Sequence, residues 1–393
     1  MNAATNAAPA QSPHVFLVAG EDSGDRLGAA LIAALRRAEA NVRLSGVGGE
    51  HMAAEGVPSL FPLGDLAIIG FAAIAMSLPK ILKRITQAAD AVVAAQPDVL
   101  VIIDSPEFTH RVARRVRARA PQIRIVDYVC PSVWAWRPGR ARAMRSYVDR
   151  VLALLPFEPE AMQRLGGPPT DFVGHPLSER VGELRPNAEE ARRRLAEPPL
   201  LLVLPGSRSG EIRRMAQVFG DTLAFVAAQV GALEVVVPAV PRLEGAVRDA
   251  VASWPVPVRI VTDAAEKHLA FRQARAALTK SGTSTLELAL AGVPMVAAYK
   301  VSFLEEMVGR LLINVQSYIL ANLVVGENVV PQFLQYQCTP EALGGALLPL
   351  LTDTPQRNVQ VEAFRTLDRI MAIGGPAPSD RAAALVLQCS RGI

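Results

Sequence analysis

The chain has 393 residues, enough for two domains with full cores, and with half of it hydrophobic and a fifth charged it is not a disordered chain. Three dispersed cysteines, Cys130, Cys338 and Cys389, with no CxxC exclude a disulfide framework and a zinc knuckle, and fit a reducing cytosol. A net charge of +4 is too small to argue for an anionic partner, and no aromatics interleave the basic runs, which speaks against nucleic acid.

The first thirteen residues, ending in Gln11-Ser12-Pro13, lack a basic start and an apolar core and read as a loose tail, not a signal peptide. HVFLVAG (14–20) then opens a strand. Its turn, VAGEDSGDRLG (18–28), leads from strand to helix but is not GxGxxG, so a dinucleotide reading is poor. Residues 65–85 stand apart. Leu66 to Met76 is apolar all round but too short to span a bilayer, which takes about 20 apolar residues. Lys80, Lys83 and Arg84 follow, interleaved with Ile81, Leu82 and Ile85. Two readings stand side by side here: a helix lying in a membrane interface, and a buried core helix.

VLVIID (99–104) is a second buried strand, ending in Asp104 before Ser105-Pro106-Glu107. Asp104 is either part of an ordinary helix cap or a carboxylate placed to accept a proton. The arginine-rich stretches 110–124 and 137–150 read first as solvated helix faces, with an anionic surface or phosphorylated substrate as the sharper alternative. Between and after them lie strands IRIVDYV (123–129) and VLALLP (151–156) and the aromatic turn CPSVWAWRPGR (130–140). The polar, proline-rich segment 174–199 interrupts the alternation and reads as a linker, with a capped helix start at Asn187 to Glu190.

Strands LLLVLPG (200–206), EVVVP (234–238), ARAALT (274–279) and MVAAY (295–299) resume beyond it. Continuous apolar strands alternating with helices predict an α/β protein with parallel sheets covered on both faces. Two turns follow such strands: LLVLPGSRSGEIRR (201–214), and KSGTSTLELALAGVP (280–294) with Glu287 one turn into its helix. Backbone N–H groups at a helix start, small hydroxyls and the guanidinium of Arg208 suit a diphosphate, and Glu287 suits vicinal hydroxyls. Plain N-capping explains either turn alone; two in one half point to a nucleotide diphosphate. No Asp-x-Asp pair and no HExxH occur, so no metal site is expected.

In order, VAGEDSGDRLG, PSVWAWR, LPFE (155–158), GHP (174–176), PGSR (205–208), SGTSTLE (281–287) and ANLVVGENVVP (321–331) resemble the lipid-A-disaccharide synthase family. The resemblance implies the B-type glycosyltransferase fold, two Rossmann-like domains facing a cleft. It implies an N-terminal acceptor and membrane-binding domain at 14–175, a linker at 176–199 and a UDP-sugar domain at 200–345. A C-terminal helical segment follows at 346–393, returning to the first domain or exchanged in a homodimer. It implies metal-independent, inverting transfer from UDP-2,3-diacylglucosamine to 2,3-diacylglucosamine 1-phosphate, without a cofactor, at the cytoplasmic face of the inner membrane. Carried onto this chain, the catalytic base falls on Asp104. Donor binding falls on Gly206, Ser207, Arg208, Ser281, Gly282, Thr283, Glu287 and Asn322. Acceptor binding is expected at Ser23, Asp25, Trp136 and Arg137, and membrane contact at Ile69, Phe71, Ile74, Lys80, Lys83 and Arg84. Cys130 stands where relatives usually have Ser, Gln332 where many have Glu, and Ala73 where many have an acidic residue. A UDP-sugar 2-epimerase and a non-catalytic nucleotide-sensing module remain the rival readings on the same fold.

Overall fold

The computed structural model describes residues 12–66, 71–302, 306–307 and 317–392, with backbone alone for 71–77. The chain forms two compact units, one of residues 1–176 with 375–393 and one of residues 177–374.

Unit 1 is built on a six-stranded parallel sheet. Its strands are β1 (His14–Ala19), β2 (Arg43–Val47), β3 (Val99–Ile103), β4 (Arg124–Tyr128), β5 (Arg150–Ala153) and β6 (Thr170–Phe172), ordered β2-β1-β3-β4-β5-β6. Every residue of β1 and β3 is buried, because helices cover both faces. One face packs Val18, Leu100, Ile102 and Ile125 against Ile85, Ala89, Val112 and Val116 of the helices Phe71–Ala95 and Pro106–Arg119. The other packs Leu17, Val101 and Val126 against Leu31 and Leu35 of the helix Asp22–Ala38 and Val386 of the helix Pro378–Ser390.

That last helix corrects the expected boundary. The helices Pro340–Leu351 and Pro355–Arg365 belong to unit 2, and only Gly375 onward joins unit 1. There Ala382, Ala383, Val386 and Leu387 complete the core, and Arg37 reaches Asp380 at 2.6 Å.

Unit 2 repeats the plan with β7 (Leu200–Leu204), β8 (Glu234–Pro238), β9 (Val258–Val261), β10 (Ala276–Lys280), β11 (Met295–Tyr299) and β12 (Gln332–Leu334), ordered β12-β11-β10-β7-β8-β9. Most of the segment expected to be a linker is bolted into this unit. Asn187 and Glu190 form the capping box the sequence predicts: Asn187 Oδ1 accepts from the Glu190 N–H at 2.9 Å, and Glu190 Oε2 from the Asn187 N–H at 2.9 Å. Arg194, buried, donates to the carbonyls of Phe271, Arg272, Ala291 and Gly292 at 3.0 to 3.2 Å. Those carbonyls end the helices Ala264–Gln273 and Ser284–Leu290, whose last C=O groups need outside donors. The polar composition of 176–199 therefore reflects helix capping rather than a free connector.

Candidate active site

In unit 1 the carboxyl ends of β1 and β3 bring two separate motifs together. Asp104 follows β3 directly, half-buried, with φ of 54°, and Ser105 follows with φ of 46°. Two successive non-glycine residues in the left-handed region cost free energy that the surroundings must offset. Ser105 N–H donates to Asp104 Oδ1 at 2.7 Å, and Ser23 Oγ–H, from the turn after β1, donates to Oδ2 at 2.6 Å. The Asp104 N–H is held by the Tyr128 carbonyl at 3.2 Å, and its own carbonyl accepts from Thr109 Oγ at 2.7 Å. A Cβ on Gly20 would lie 2.5 Å from that of Ser105, so this turn packs against the first motif only through a glycine. Asp104 thus does not cap the following helix: its two oxygens are aimed by Ser23 and by its own neighbour.

Asp25, expected at the acceptor, is engaged inside the protein. It is buried and accepts the N–H groups of Gly49, His51 and Met52 at 2.7, 2.9 and 3.0 Å. It therefore caps the helix Glu50–Ala54 from a distant turn. Asp22, Asp25 and His51 place ligand-type atoms within 4.8 Å of one another, but Asp25 is spent on backbone and Asp22 pairs with Arg26 at 2.9 Å. The trio is a cap with its surroundings.

The aromatic turn is anchored from below. Arg137, with φ of 55°, stacks its guanidinium over Trp136 at 4.5 Å, and both are exposed. Trp134 points inward. Its Nε1–H donates to Glu158 Oε1 at 3.2 Å, while Glu158 Oε2 accepts the Leu155 N–H at 2.9 Å. Glu158 is 3% exposed, and burial pushes its carboxyl up to about 7. The LPFE motif contains this residue, but nothing in the sequence says that it holds a tryptophan. A second buried chain lies nearby: His110 Nε2 is 3.1 Å from Asp127 Oδ2, and His110 Nδ1 is 3.0 Å from the Tyr147 hydroxyl. Burial raises the Asp127 carboxyl despite the imidazole beside it.

The helix Phe71–Ala95 runs through Pro79 without a break. Ile69 lies outside the described residues, as do the side chains of Phe71 and Ile74. Beyond them Leu78, Pro79, Lys80, Leu82 and Lys83 are exposed. Arg84 is half-buried instead: it stacks over Phe61 at 4.8 Å and grips Asp65 through Nε at 3.0 Å and Nη2 at 2.5 Å. The guanidinium of Arg84, expected at the membrane, is thus paired within the protein. Lys80 meets the same carboxylate at 2.5 Å, which leaves Lys83 as the cation of this helix turn outside that cluster. No helix among the described residues is long and apolar enough to cross a membrane.

In unit 2 the two predicted turns sit at the carboxyl ends of adjacent strands, since Thr279 of β10 pairs with Leu204 of β7. Gly206, with φ of 142°, leaves room for Glu211, whose Cβ would lie 2.5 Å from any Cβ there. Arg208 is the exposed N-cap of the helix Ser209–Val230 and makes no side-chain cap. At the second turn Thr283 is the N-cap position, again without a capping side chain. Glu287 accepts Lys267 Nζ at 3.3 and 3.2 Å through its two oxygens and remains a fifth exposed. Simple capping by hydroxyls therefore does not account for these turns.

Two expected donor residues are tied into the protein's own framework. Asn322 is 2% exposed and fully engaged: its Nδ2 donates to the Val330 carbonyl at 3.0 Å and to Ser317 Oγ at 3.2 Å, and its Oδ1 accepts the Val330 N–H at 2.9 Å. Ser281 Oγ–H donates to the Tyr318 carbonyl at 2.5 Å. Both shape the loop beside the turn through these bonds. The sequence reading missed Glu211 and Lys280, although Lys280 opens the second of the two turn motifs.

A family profile described as lipid-A-disaccharide synthetase matches residues 15–374. The chain belongs to this family. The lipid-A-disaccharide synthase of Nitrobacter hamburgensis is 61% identical over 378 residues, covering 96% of each chain. That of Bradyrhizobium diazoefficiens is 59% identical with the same coverage. The protein is accordingly an enzyme of the glycosyltransferase class acting in lipid A biosynthesis. Among solved structures it resembles the UDP-GlcNAc 2-epimerase of Neisseria meningitidis bound to UDP-GlcNAc, at TM-score 0.62, 12% identity and 95% and 100% coverage. It also resembles MurG of Acinetobacter baumannii, at TM-score 0.59, 16% identity and 96% and 99% coverage. At such identities the likeness is one of fold, two Rossmann-like units, and the family membership disfavours the epimerase reading.

Proposed function

We propose that this glycosyltransferase joins UDP-2,3-diacylglucosamine to 2,3-diacylglucosamine 1-phosphate, with Asp104 as the general base. The acceptor 6-hydroxyl attacks the anomeric carbon, forming the new C–O bond as the bond to the UDP oxygen breaks, with inversion to a β-1,6 linkage. The hydroxyl proton passes to Asp104, a step typically worth ~10²–10⁴ in rate. The observation that carries this reading is the strained, half-buried Asp104 carboxylate aimed by Ser23. Ser23 is here an orienting residue rather than an acceptor ligand. Trp136 and Arg137 form the exposed platform for the acceptor.

UDP departs with growing negative charge. Arg208 and the N–H groups around Gly282 and Thr283 meet it, beside the turn of Gly206 and Ser207, and preorganised donors of this kind are often the largest catalytic contribution. Glu287 accepts the ribose hydroxyls, with Lys267 as its counter-charge. The substrates carry acyl chains, and the enzyme works peripherally at the cytoplasmic face of the inner membrane. The apolar run with Ile69, Phe71 and Ile74 enters the interface, followed by Leu78 and Leu82, and Lys80 and Lys83 face the headgroups. The test is incubation of the purified protein with both substrates, dispersed in detergent. Disaccharide and UDP in equal amounts from the wild type, and both at least ~10²-fold more slowly from Asp104→Asn, are expected. Product from the variant at the wild-type rate returns Asp104 to a structural role.

A further inference from the structure

We infer that Lys280 grips the donor's diphosphate, and that the buried Glu211 holds it between the two turns of unit 2. The inference rests on the donor reading above and adds two residues to it.

Glu211 lies in the first turn of the helix Ser209–Val230 and is 3% exposed. Its Oε2 accepts the Ser207 N–H at 3.0 Å, and its Oε1 lies 3.0 Å from Lys280 Nζ and 3.5 Å from Arg208 Nη1. Burial opposes its ionisation, but Ser207 N–H, Lys280 and Arg208 outweigh it and hold the carboxyl below its usual range. Lys280 ends β10, opposite Ala298 of β11, and is largely buried. Its ammonium lies over the Tyr299 ring at 5.0 Å. It also sits against the second turn, since a Cβ on Gly282 would come within 3.3 Å of Nζ.

One ammonium therefore touches both turns. It carries three N–H donors, of which Glu211 takes one. A buried carboxylate with one lysine is neutral; with Arg208 the cluster carries net positive charge facing the two turns. The arrangement also settles how the first turn meets an anion. Glu211 already occupies the Ser207 N–H, so a diphosphate approaches from the side of Arg208 and Lys280. Pinning the long lysine chain in advance lowers the ordering cost of binding. The competing account makes Lys280 a counter-charge for Glu211 and nothing more.

Four proteins separate the two: wild type, Lys280→Met, Glu211→Gln and the double variant, each with calorimetric titration by UDP and by uridine, and a thermal melt. Lys280→Met is expected to weaken UDP at least ~10-fold, the scale of one hydrogen bond to a charged group, and to leave uridine unchanged. Glu211→Gln in the Lys280→Met background removes the stranded carboxylate and restores the melting temperature but not the UDP affinity. Recovery of UDP affinity in the double variant overturns the inference in favour of the counter-charge. Wild-type binding of UDP that persists in Lys280→Met overturns the inference alone. Failure of the wild type to bind UDP overturns the donor reading, and this inference with it.

Discussion

Replacing Glu158 by glutamine offers a test of how the aromatic turn is held. Its carboxyl sits at about 7 against an ordinary value of 4.5, because burial disfavours the charge. The folded state then binds the proton more tightly than the unfolded chain. Between pH 4.5 and 7 the folded form holds more protons, so this group's contribution to stability falls as pH rises. Each pKa unit corresponds to about 1.36 kcal/mol, which makes the loss about 3 kcal/mol by pH 7.5. His175 works in the opposite sense. Burial lowers it to about 4, so its contribution rises with pH between 4 and 6.5 and masks Glu158 in the wild-type profile. The difference between the Glu158→Gln variant and wild type cancels His175. The amide that replaces the carboxyl has a single carbonyl for two N–H donors, Trp134 and Leu155, so at low pH the variant melts lower. From pH 4.5 to 7.5 its melting temperature should climb relative to wild type by roughly 6–12 °C, at about 2–4 °C per kcal/mol. The Trp134 indole N–H resonance should titrate near pH 7 in the wild type and not in the variant. A melting difference that stays flat across this range refutes the reasoning.

Other outcomes follow from the same geometry. Asp104→Asn should lower turnover at least ~10²-fold with an unchanged melt, and Ser23→Ala should lower it less, since it misaims the base without removing it; steady-state rates decide. Arg208→Ala and Glu287→Ala should each weaken UDP in calorimetry, and Arg208→Lys should recover only part, because an ammonium cannot replace a planar fork. Replacing Ile69, Phe71 and Ile74 together by Ser should release the protein from anionic liposomes in flotation while activity in detergent survives; lost activity in detergent favours the buried-core reading. Lys83→Glu should also weaken flotation, whereas Arg84→Ala should lower the melting temperature, since Arg84 is tied to Asp65 and Phe61. Arg194→Met should cost roughly 3 kcal/mol or more in unit 2 by stranding four helix-end carbonyls, read from denaturant melts.

The eight strands legible in the sequence are the inner strands of the two sheets: β1, β3, β4 and β5, then β7, β8, β10 and β11. Each is an apolar run because both of its faces are covered, and that demand is written locally, residue by residue. The four strands absent from the sequence reading are β2, β6, β9 and β12, which are the four sheet edges. No residue of β6 or β12 is buried, and β2 is buried only at Gly46 and Val47. Such segments become strands because a neighbour offers hydrogen bonds, not because their own pattern requires it. The site divides in the same way. The strand-end turns, Asp104, Arg208 and the family to which the chain belongs were legible, because each rests on residues adjacent in sequence. The distant partners of Asp104, Asp25, Glu158 and Glu211 come from other turns, brought within hydrogen-bond reach only when parallel strands align their carboxyl ends. A local pattern carries no record of such pairs; the return of the helix Pro378–Ser390 to unit 1 came only from the family resemblance, beside exchange in a dimer, since an amphipathic helix specifies that it must be covered and not by what.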